Sequence, residues 1–386
     1  MAHEGFRKSL SQRGGRPRGW GDLSVGQALC RCLGAPPGEK LRFTHGFHAY
    51  PGRMDPGIAE RVLATIPTRV RVLDPFVGSG TVAVEAVRRG VAFTGIDISR
   101  VALEIVWTRT RIWPPDRCRR IESAGNRIDK LARSHRDESF PIPPWAESVS
   151  DWFDPHTLGE IGLLKVLVDE ESDADVRRAL TCVLSSLLVK LSKQVSDSIT
   201  LIDLMPRRWL RGAAFRLFRE KCSELTKSLL LLSSDLHKRG VKPIEPDLRL
   251  GDSRKVELPP ADLILTSPPY PGTYDYFGHH TLRFALYGGG GELAHRGEIG
   301  SRSERAVRYR EDLKVVLERL RKALVPDGNI VLMLGDGFVG EERVRADQLV
   351  RSLVPVRAGA TRILTEWTYG RRGERRSEHL ILMRRS

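Results

Sequence analysis

A glycine-containing turn between an apolar strand and a helix constrains the fold of this 386-residue chain more than any other feature. Residues 70–74 (VRVLD) have the length and composition of a buried strand, and residues 80–89 follow with helical apolar spacing. A second apolar strand spans residues 92–97. This strand-helix-strand rhythm is typical of a parallel sheet covered by helices, and we therefore predict an α/β fold.

The turn itself has the features of a cradle for a nucleotide-like ligand. Gly78 and Gly80 allow a ligand to approach the backbone, and the free amides at the start of the helix suit a carboxylate or a phosphate. Asp97 ends the next strand about 20 residues after the first glycine, the usual offset for an acid that binds ribose hydroxyls. No Lys-Ser/Thr pair follows the glycines, which disfavours a nucleoside-triphosphate loop. A tight turn without a ligand is the alternative interpretation.

A second polar stretch follows a later apolar strand. Residues 261–265 (ADLIL) predict a buried strand, and residues 266–270 (TSPPY) lie at its carboxyl end, where open α/β sheets bind ligands. The two prolines fix φ and have no amide hydrogens, so Ser267 is held extended with its carbonyl and hydroxyl oxygens outward. Beside the ring of Tyr270, such acceptors suit a flat heterocycle with an exocyclic amine. A proline-rich turn that closes a strand is the alternative.

Together, the two stretches resemble motifs of the S-adenosylmethionine-dependent DNA amino-methyltransferases, which modify cytosine N4 or adenine N6. Residues 74–81 (DPFVGSGT) are similar to that family's cofactor loop, and residues 267–270 (SPPY) are similar to its catalytic motif in the form commoner among cytosine-N4 enzymes. Further similarity lies in residues 50–56 (YPGRMDP), in Tyr274-Asp275-Tyr276 with His279 or His280, and in residues 298–301 (EIGS). The resemblance covers roughly residues 45–110 and 245–386.

The resemblance implies a Rossmann-like methyltransferase fold, with a mostly parallel sheet, an antiparallel edge hairpin and a helical insert. It implies S-adenosyl-L-methionine as the cofactor. In the implied site, Phe76 packs near the methionine end of the cofactor, or simply in the core, and Asp252 reaches the adenine amine. The implied cofactor-binding residues are Asp74, Phe76, Gly78, Gly80, Thr81, Asp97 and Asp252, and the implied catalytic residues are Ser267, Pro268, Pro269 and Tyr270.

The reaction implied by the resemblance is methylation of an exocyclic base amine whose lone pair is delocalised into the ring. Hydrogen bonds from the amine to Ser267 and the adjacent backbone favour a tetrahedral nitrogen, while Tyr270 stacks on the flipped base. No general base is demanded, because the amine becomes acidic as it is methylated. Serine in the first motif position favours cytosine N4 in DNA. Adenine N6 in DNA, an RNA base, and a non-enzymatic basic nucleic-acid-binding protein with a decayed methylase fold are the alternatives.

The formal net charge of +15 indicates a polyanionic partner. We predict DNA, with RNA the less favoured partner and a basic solubilising surface as the alternative. The family resemblance leaves a cognate restriction endonuclease open as a further partner. The sequence does not indicate an oligomeric state.

The five scattered cysteines form no disulfide framework and indicate a reducing compartment. Cys30 and Cys32 lie near His45 and His48, but their spacing matches no common zinc site, so we predict no metal. The sequence contains no amino-terminal apolar run of signal-peptide length, and no stretch approaches 18 uncharged apolar residues. These features predict a cytoplasmic protein.

We divide the chain into four segments. We predict that residues 1–44 form a flexible basic arm with one short helix at 23–33. We predict that residues 45–115 form the cofactor half of the methyltransferase core. Residues 116–240 predict a mainly helical insert, and residues 241–386 form the catalytic half and the C-terminal hairpin with its basic turn. The second half of the insert is a target-recognition surface or a solvated face, and its basic residues are Lys190, Lys193, Arg207, Arg208, Arg211, Arg216 and Arg219.

Overall fold

The computed structural model describes residues 15–34, 42–135, 141–196, 199–203, 208–272, 275–300, 306–364, 367–368, 371–372 and 376–385. Its strands are β1 Arg18–Gly21, β2 Arg71–Asp74, β3 Ala92–Asp97, β4 Gln194–Ser196, β5 Ile199–Ile202, β6 Asp247–Leu250, β7 Ala261–Thr266, β8 Leu324–Gly335, β9 Gly337–Val339, β10 Glu342–Val344, β11 Ala358–Leu364, β12 Trp367–Thr368, β13 Arg371–Arg372 and β14 Arg376–Arg384. Its α-helices are α1 Leu23–Leu33, α2 Pro56–Ala64, α3 Thr81–Arg89, α4 Arg100–Arg109, α5 Pro115–Ser134, α6 Pro155–Asp169, α7 Ala174–Leu191, α8 Ala213–Lys238, α9 Tyr276–Leu286, α10 Glu292–Gly297, α11 Ala306–Ala323 and α12 Ala346–Leu353. A 3₁₀ helix spans Pro144–Trp152.

Eight strands form the central sheet in the order β6-β3-β2-β7-β8-β14-β11-β1. The first five in this order are parallel to their neighbours, whereas β14 runs antiparallel to both β8 and β11. The chain leaves β2 toward β3 on one side, and β7 pairs with β2 on the other side, which makes the boundary between β2 and β7 a topological switch point. This arrangement confirms the predicted α/β class with a Rossmann-like methyltransferase sheet.

The N-terminal segment extends the sheet. Residues 15–34, which we predicted to lie in a flexible arm, form β1 and α1, and the predicted helix at 23–33 is α1. Strand β1 pairs with β11, so the C-terminal hairpin of β11 and β14 lies inside the sheet and not at its outer edge. The contact is close because Trp20 lies against Gly359, where a Cβ would meet the indole at 2.2 Å, and its Nε1 donates to Thr361 Oγ1 at 3.0 Å.

Apolar faces of the helices cover both sides of the sheet. Helices α1 to α4 pack with buried side chains of β2, β3, β7 and β14 on one side. Helices α11 and α12 pack with other side chains of β7, β8 and β14 on the opposite side. Successive side chains of a strand point to opposite faces, so each central strand contributes to both layers. These two layers hold the strand ends of β2, β3, β6 and β7 side by side.

The insert between β3 and β6 has its own apolar core, built from helices α5 to α8 and joined by α9. The insert is mainly helical, but residues 194–202 are an exception, because β4 and β5 form a hairpin there. Helix α7 ends there because the Ser192 hydroxyl accepts from the Gln194 amide at 3.1 Å, and the β-branched residues that follow favour strands. No helix in the described part of the chain is long and apolar enough to span a membrane.

Candidate cofactor and substrate site

A cleft of about 920 Å³, counted with its open mouth, lies at the carboxyl ends of the parallel strands. Its walls come from the ends of β2, β3, β6 and β7, from the turn after β2, and from α9 with the loop beyond it. The cleft therefore lies at the switch point, where open α/β sheets bind ligands. Eight of the predicted site residues line it, namely Asp74, Phe76, Gly78, Thr81, Asp97, Asp252, Ser267 and Pro269.

The glycine turn and Asp97 form one wall. Gly78 and Gly80 have φ angles of 47° and 79°, which favour glycine. Asp97 Oδ2 accepts from the Gly78 amide at 2.9 Å, and its Oδ1 accepts from the Ser99 amide at 2.9 Å. Gly80 does not line the cleft but packs against Val106 of α4, where a Cβ would meet Cγ2 at 2.8 Å. The second glycine thus shapes the turn, while the first faces the cleft.

Asp74 connects the cofactor turn to the predicted catalytic strand. Its Oδ1 accepts from the Thr266 hydroxyl at 2.6 Å and from the Phe76 amide at 3.1 Å. Burial, helped by the charge of Asp97, raises the pKa of Asp74 to about 7 despite these two hydrogen bonds. Burial likewise raises the pKa of Asp97 to about 6, although backbone amides oppose the shift. The two strand ends thus present acids that titrate near neutral pH.

Asp252 follows β6 and forms the far wall of the cleft. Its carboxylate pairs with Arg254, whose Nη2 lies 2.8 Å from Oδ2 and whose Nε lies 3.0 Å from Oδ1. Burial raises the pKa of Asp252, but the bonds from Arg254 outweigh burial and hold it below its usual value. Arg254 also pairs with Asp312 at 2.7 Å, which anchors this wall to α11. Asp252 is therefore a fixed, ionised acceptor.

The Ser267-to-Tyr270 motif divides between two sides of the strand end. Ser267 and Pro269 line the cleft, whereas Pro268 and Tyr270 do not. The ring of Tyr270 lies against Gly335 at the end of β8, where a Cβ would meet Cδ2 at 2.7 Å. The Pro269 carbonyl accepts from the Tyr309 hydroxyl at 3.1 Å. The motif is thus held in place, with its serine lining the cleft and the ring of its tyrosine packed against Gly335.

Glu378 of β14 is a buried partner of the motif that we did not predict. Its Oε1 accepts from the Tyr270 hydroxyl at 3.2 Å, and its Oε2 pairs with Arg362 Nη2 at 2.8 Å. Burial raises the pKa of Glu378, while Arg362 opposes the shift. The position of Tyr270 therefore depends on a strand more than 100 residues away, and no local sequence pattern indicates that contact.

Aromatic side chains close the cleft above the glycine turn. The ring of Tyr50 lies close to Gly78, where a Cβ would meet Cε1 at 3.3 Å. His280 of α9 also lies against Tyr50, with ring centroids 4.8 Å apart, and the ring centroid of Tyr276 lies 6.2 Å from that of Tyr50. The segments that resemble family motifs at residues 50–56 and around His280 therefore meet at this wall. Tyr274 and Ser301, named in the same resemblance, lie outside the described residues.

Arg109 is a buried cation behind the glycine turn that sequence reasoning missed. Its guanidinium donates to the carbonyls of Ser79 at 2.6 Å, His48 at 2.6 Å and His45 at 3.1 Å. Burial, together with the charge of Arg53, lowers the pKa of Arg109 to about 9. These bonds hold residues 45–48 against the turn, so Arg109 positions two walls of the cleft together.

The basic surface of the insert is partly neutralised. Arg216 pairs with Glu220 at 3.0 Å, Arg219 with Asp129 at 3.7 Å, and Lys193 with Asp154 at 3.9 Å. Within the described part of the chain, no ion pair involves Lys190, Arg208 or Arg211. Arg207 lies outside the described residues, as do Arg375 and most of the predicted basic turn of the hairpin.

Asp336, Asp347 and His379 bring three groups that could bind a metal ion within 4.8 Å of one another. Asp336 Oδ1 already accepts from the Ala346 amide at 3.0 Å and lies 3.0 Å from His379 Nε2. We therefore assign this group a structural role between β14, β8 and α12. All five cysteines are free, and four of them are buried.

In sequence, the chain is similar to a known methyltransferase. The type II methyltransferase M.MvaI of Kocuria varians is 22% identical over 242 residues, which cover 59% of this chain and 53% of the relative. The chain thus spans about half the length of that relative. No protein-family profile matches the chain. The predicted resemblance to methyltransferases is confirmed by this relative together with the sheet order.

The solved structures that are similar to this chain include TrmN and aviRa, both at low identity. TrmN from Thermus thermophilus is 14% identical with a TM-score of 0.29, over 86% of this chain and 50% of TrmN. The rRNA methyltransferase aviRa from Streptomyces viridochromogenes is 12% identical with a TM-score of 0.36, over 91% of this chain and 94% of aviRa. The fold assignment rests on the strand order of the sheet itself and not on these superpositions.

Proposed function

We propose that this protein transfers the methyl group of S-adenosylmethionine to an exocyclic base amine, with cytosine N4 in duplex DNA as the target. One observation carries the proposal: a single cleft joins the glycine turn and Asp97 to Ser267 across adjacent parallel strands. The Thr266–Asp74 hydrogen bond fixes the distance between the two parts. The similarity to a type II methyltransferase supports methyl transfer as the activity.

The residues of the cleft fit the proposed cofactor. Four carboxylates line it, from Asp74, Asp97, Asp252 and Glu298, and they suit a ligand that carries a sulfonium and an ammonium. We assign Asp97 to the ribose hydroxyls and Asp252 to the adenine amine. Gly78 and Thr81 shape the turn beneath the ligand, and Phe76 packs beside it. Gly80 acts indirectly, because it allows the close contact between the turn and α4.

When bound, S-adenosylmethionine supplies an electrophilic methyl group. Ser267 and the adjacent backbone accept hydrogen bonds from the target amine and localise its lone pair on nitrogen. The prolines hold those acceptors in place, which favours the reactive geometry by orientation. With the cofactor bound, the amine held at Ser267 would become acidic as it is methylated and would lose one proton to solvent. We assign Tyr270, which Glu378 and Gly335 hold in place, to stacking on the flipped base.

We assign target recognition to the insert at residues 116–240, and in particular to its basic side chains without ion pairs in the described chain. The positive net charge of +15 supports a nucleic acid partner and does not distinguish DNA from RNA. The serine of the motif favours cytosine over adenine. A cognate restriction endonuclease remains a prediction from the family resemblance.

Identification of the methylated nucleoside tests the proposal. The full chain is incubated with isotope-labelled S-adenosylmethionine and, separately, unmethylated duplex DNA and RNA, and the digested products are analysed by mass spectrometry. N4-methylcytosine from DNA is the expected product. N6-methyladenine would replace the assigned base, label only in RNA would replace the substrate class, and no label with bound cofactor would favour a decayed methylase.

A further inference from the structure

The loop before α8, residues 208–212 (RWLRG), presents an apolar side chain that the proposed reaction does not use. Leu210 is 84% exposed, the highest value among the large apolar side chains of the described residues. Arg208 and Arg211 on either side of it are also exposed, and neither forms an ion pair in the described part of the chain. Single exposed leucines are common on protein surfaces, so the exposure alone does not indicate a site. The function of this leucine therefore has to be inferred from what holds and surrounds it.

Hydrogen bonds to buried side chains hold the loop in place on both sides of the exposed leucine. Before it, the buried indole of Trp209 donates from Nε1 to the Lys190 carbonyl at 3.2 Å, and the Trp209 carbonyl accepts from His156 Nε2 at 2.9 Å. After it, the carboxylate of Glu160, which is 3% exposed, accepts from the Gly212 amide at 2.5 Å. An apolar side chain on a backbone that is already fixed loses little conformational entropy when it inserts into a partner.

The end of α7 connects this loop to a wall of the cleft. Lys190, whose carbonyl binds Trp209, lies in the last turn of α7, and the hairpin of β4 and β5 follows that helix. The hairpin packs on α9, which contributes Tyr276, Phe277 and His280 to the lining of the cleft. The loop therefore belongs to the part of the insert that is in contact with the proposed site.

The charges around Leu210 indicate the class of partner. Lys190 is exposed and, like the two flanking arginines, has no ion pair among the described residues. Three cations without neutralising partners attract a polyanion and repel a basic surface. Duplex DNA offers both contacts that this arrangement needs, because phosphates bind cations and the step between two base pairs accepts an apolar side chain. Leucine is one of the side chains that proteins insert there.

We propose that Leu210 inserts between base pairs of the duplex beside the target base. The three cations around it bind phosphates on either side of that step. Insertion unstacks the neighbouring bases and so lowers the cost of moving the target base out of the duplex, which methyl transfer in the cleft requires. This inference rests on the proposed function.

Single-turnover methyl transfer on two short duplexes tests the inference. Both duplexes carry a site that the wild-type protein methylates, mapped beforehand in plasmid DNA. The target base is paired in the first duplex and faces a mismatched base in the second, where flipping costs less. We expect Leu210→Ala to lower the rate on the paired duplex by about 10-fold or more, and the rate on the mismatched duplex by no more than about twofold. Leu210→Met keeps an apolar side chain of similar volume and should stay within about twofold of wild type on both.

Two further variants separate insertion from other effects of the surface. Leu23→Ala is the matched control, because Leu23 is 83% exposed but follows the carboxylate of Asp22, and its rates should equal those of wild type. Leu210→Lys adds a phosphate-binding charge but removes the apolar side chain, so its rate on the paired duplex should fall as in Leu210→Ala. Leu210 makes no buried contact that folding requires, so each variant should bind S-adenosylmethionine within about twofold of wild type.

Two results would overturn the inference. Wild-type rates on the paired duplex in Leu210→Ala would leave the exposed leucine to a partner other than DNA. An equal loss on the paired and mismatched duplexes would show that Leu210 does not act on base opening. If the wild-type protein methylates no duplex DNA at all, the proposed function itself is removed, which distinguishes the two failures.

Discussion

Replacing Asp74 by Asn should stabilise the protein at alkaline pH, because the ionised carboxylate is buried beside the charge of Asp97. Asn keeps an oxygen that accepts from Thr266 and Phe76, so the variant resembles the protonated acid. The pKa of Asp74 is raised from 3.8 to about 7 in the folded protein. A raised pKa in an acid gives stability that is complete below the unfolded value and is lost as the pH rises through the folded value.

The expected size follows from this shift. Compared with a side chain that stays neutral, Asp74 lowers the free energy of unfolding by about 4 kcal/mol at pH 8 and by about 2 kcal/mol at pH 5, taking about 1.4 kcal/mol per pKa unit. Asp74→Asn should therefore be more stable than wild type by a few kcal/mol at pH 8. At pH 5 this gain in stability should be smaller by roughly 2 kcal/mol. Urea denaturation followed by circular dichroism at both pH values, without cofactor, measures this difference.

Asp262→Asn provides the control. Asp262 begins β7, and although burial raises its pKa, the bonds from Arg71 outweigh burial and hold that pKa below its usual value. Its carboxylate is ionised at both pH 5 and pH 8, so its replacement should change stability equally at the two pH values. An equal change in Asp74→Asn at both pH values, or a loss of stability at pH 8, would refute the account of Asp74.

Three further predictions concern the cleft and the basic surface. Affinity for S-adenosylmethionine, measured by calorimetry, should fall as the pH is lowered through about 6, because Asp97 becomes protonated. Asp97→Asn should bind the cofactor weakly at every pH and should show no such fall. Gly80→Ala should lower the free energy of unfolding by about 1–3 kcal/mol in urea titrations, because the residue has a φ of 79° and its Cβ would collide with Val106. Gly340→Ala is the control and should lower it less, because Gly340 has a φ of 60° but open space around it. Removing a phosphate-contacting cation from the set Lys190, Arg208 and Arg211 should make the slope of log DNA affinity against log salt concentration shallower by about one unit. Replacing the paired residues Arg216 and Arg219 should leave the slope unchanged. Equal slopes for both sets would exclude the first set from the interface.

Local sequence signals located most of the cleft. Local sequence patterns are enough to identify the glycines, the acid at the end of β3 and the prolines after β7. Parallel strands then bring their carboxyl ends, where these residues lie, to one edge of the sheet. The contacts that hold these pieces in place connect distant parts of the chain. Arg109 binds carbonyls of residues 45–48, Glu378 holds Tyr270, and β1 pairs with β11 across more than 300 residues. Such partners depend on the folded topology, and periodicity cannot reveal them.

The hairpin of β4 and β5 shows the same limit on a smaller scale. Apolar residues at helical spacing precede and follow it, so the surrounding pattern predicted helix. The hydroxyl of Ser192 ends α7, and the β-branched residues that follow favour strands. The hairpin then packs on α9. The predicted roles of the site residues and the division of the chain into four segments remain predictions.

The most direct test of the central claim is to measure cofactor binding and methyl transfer together in Ser267→Ala. If the cleft joins a cofactor cradle to a separate catalytic acceptor, this variant should bind S-adenosylmethionine within about twofold of wild type. Its single-turnover rate of methyl transfer should nevertheless fall by roughly 100-fold or more, the cost of removing a hydrogen bond made in the transition state. A folded Ser267→Ala that transfers methyl groups at the wild-type rate would contradict the account.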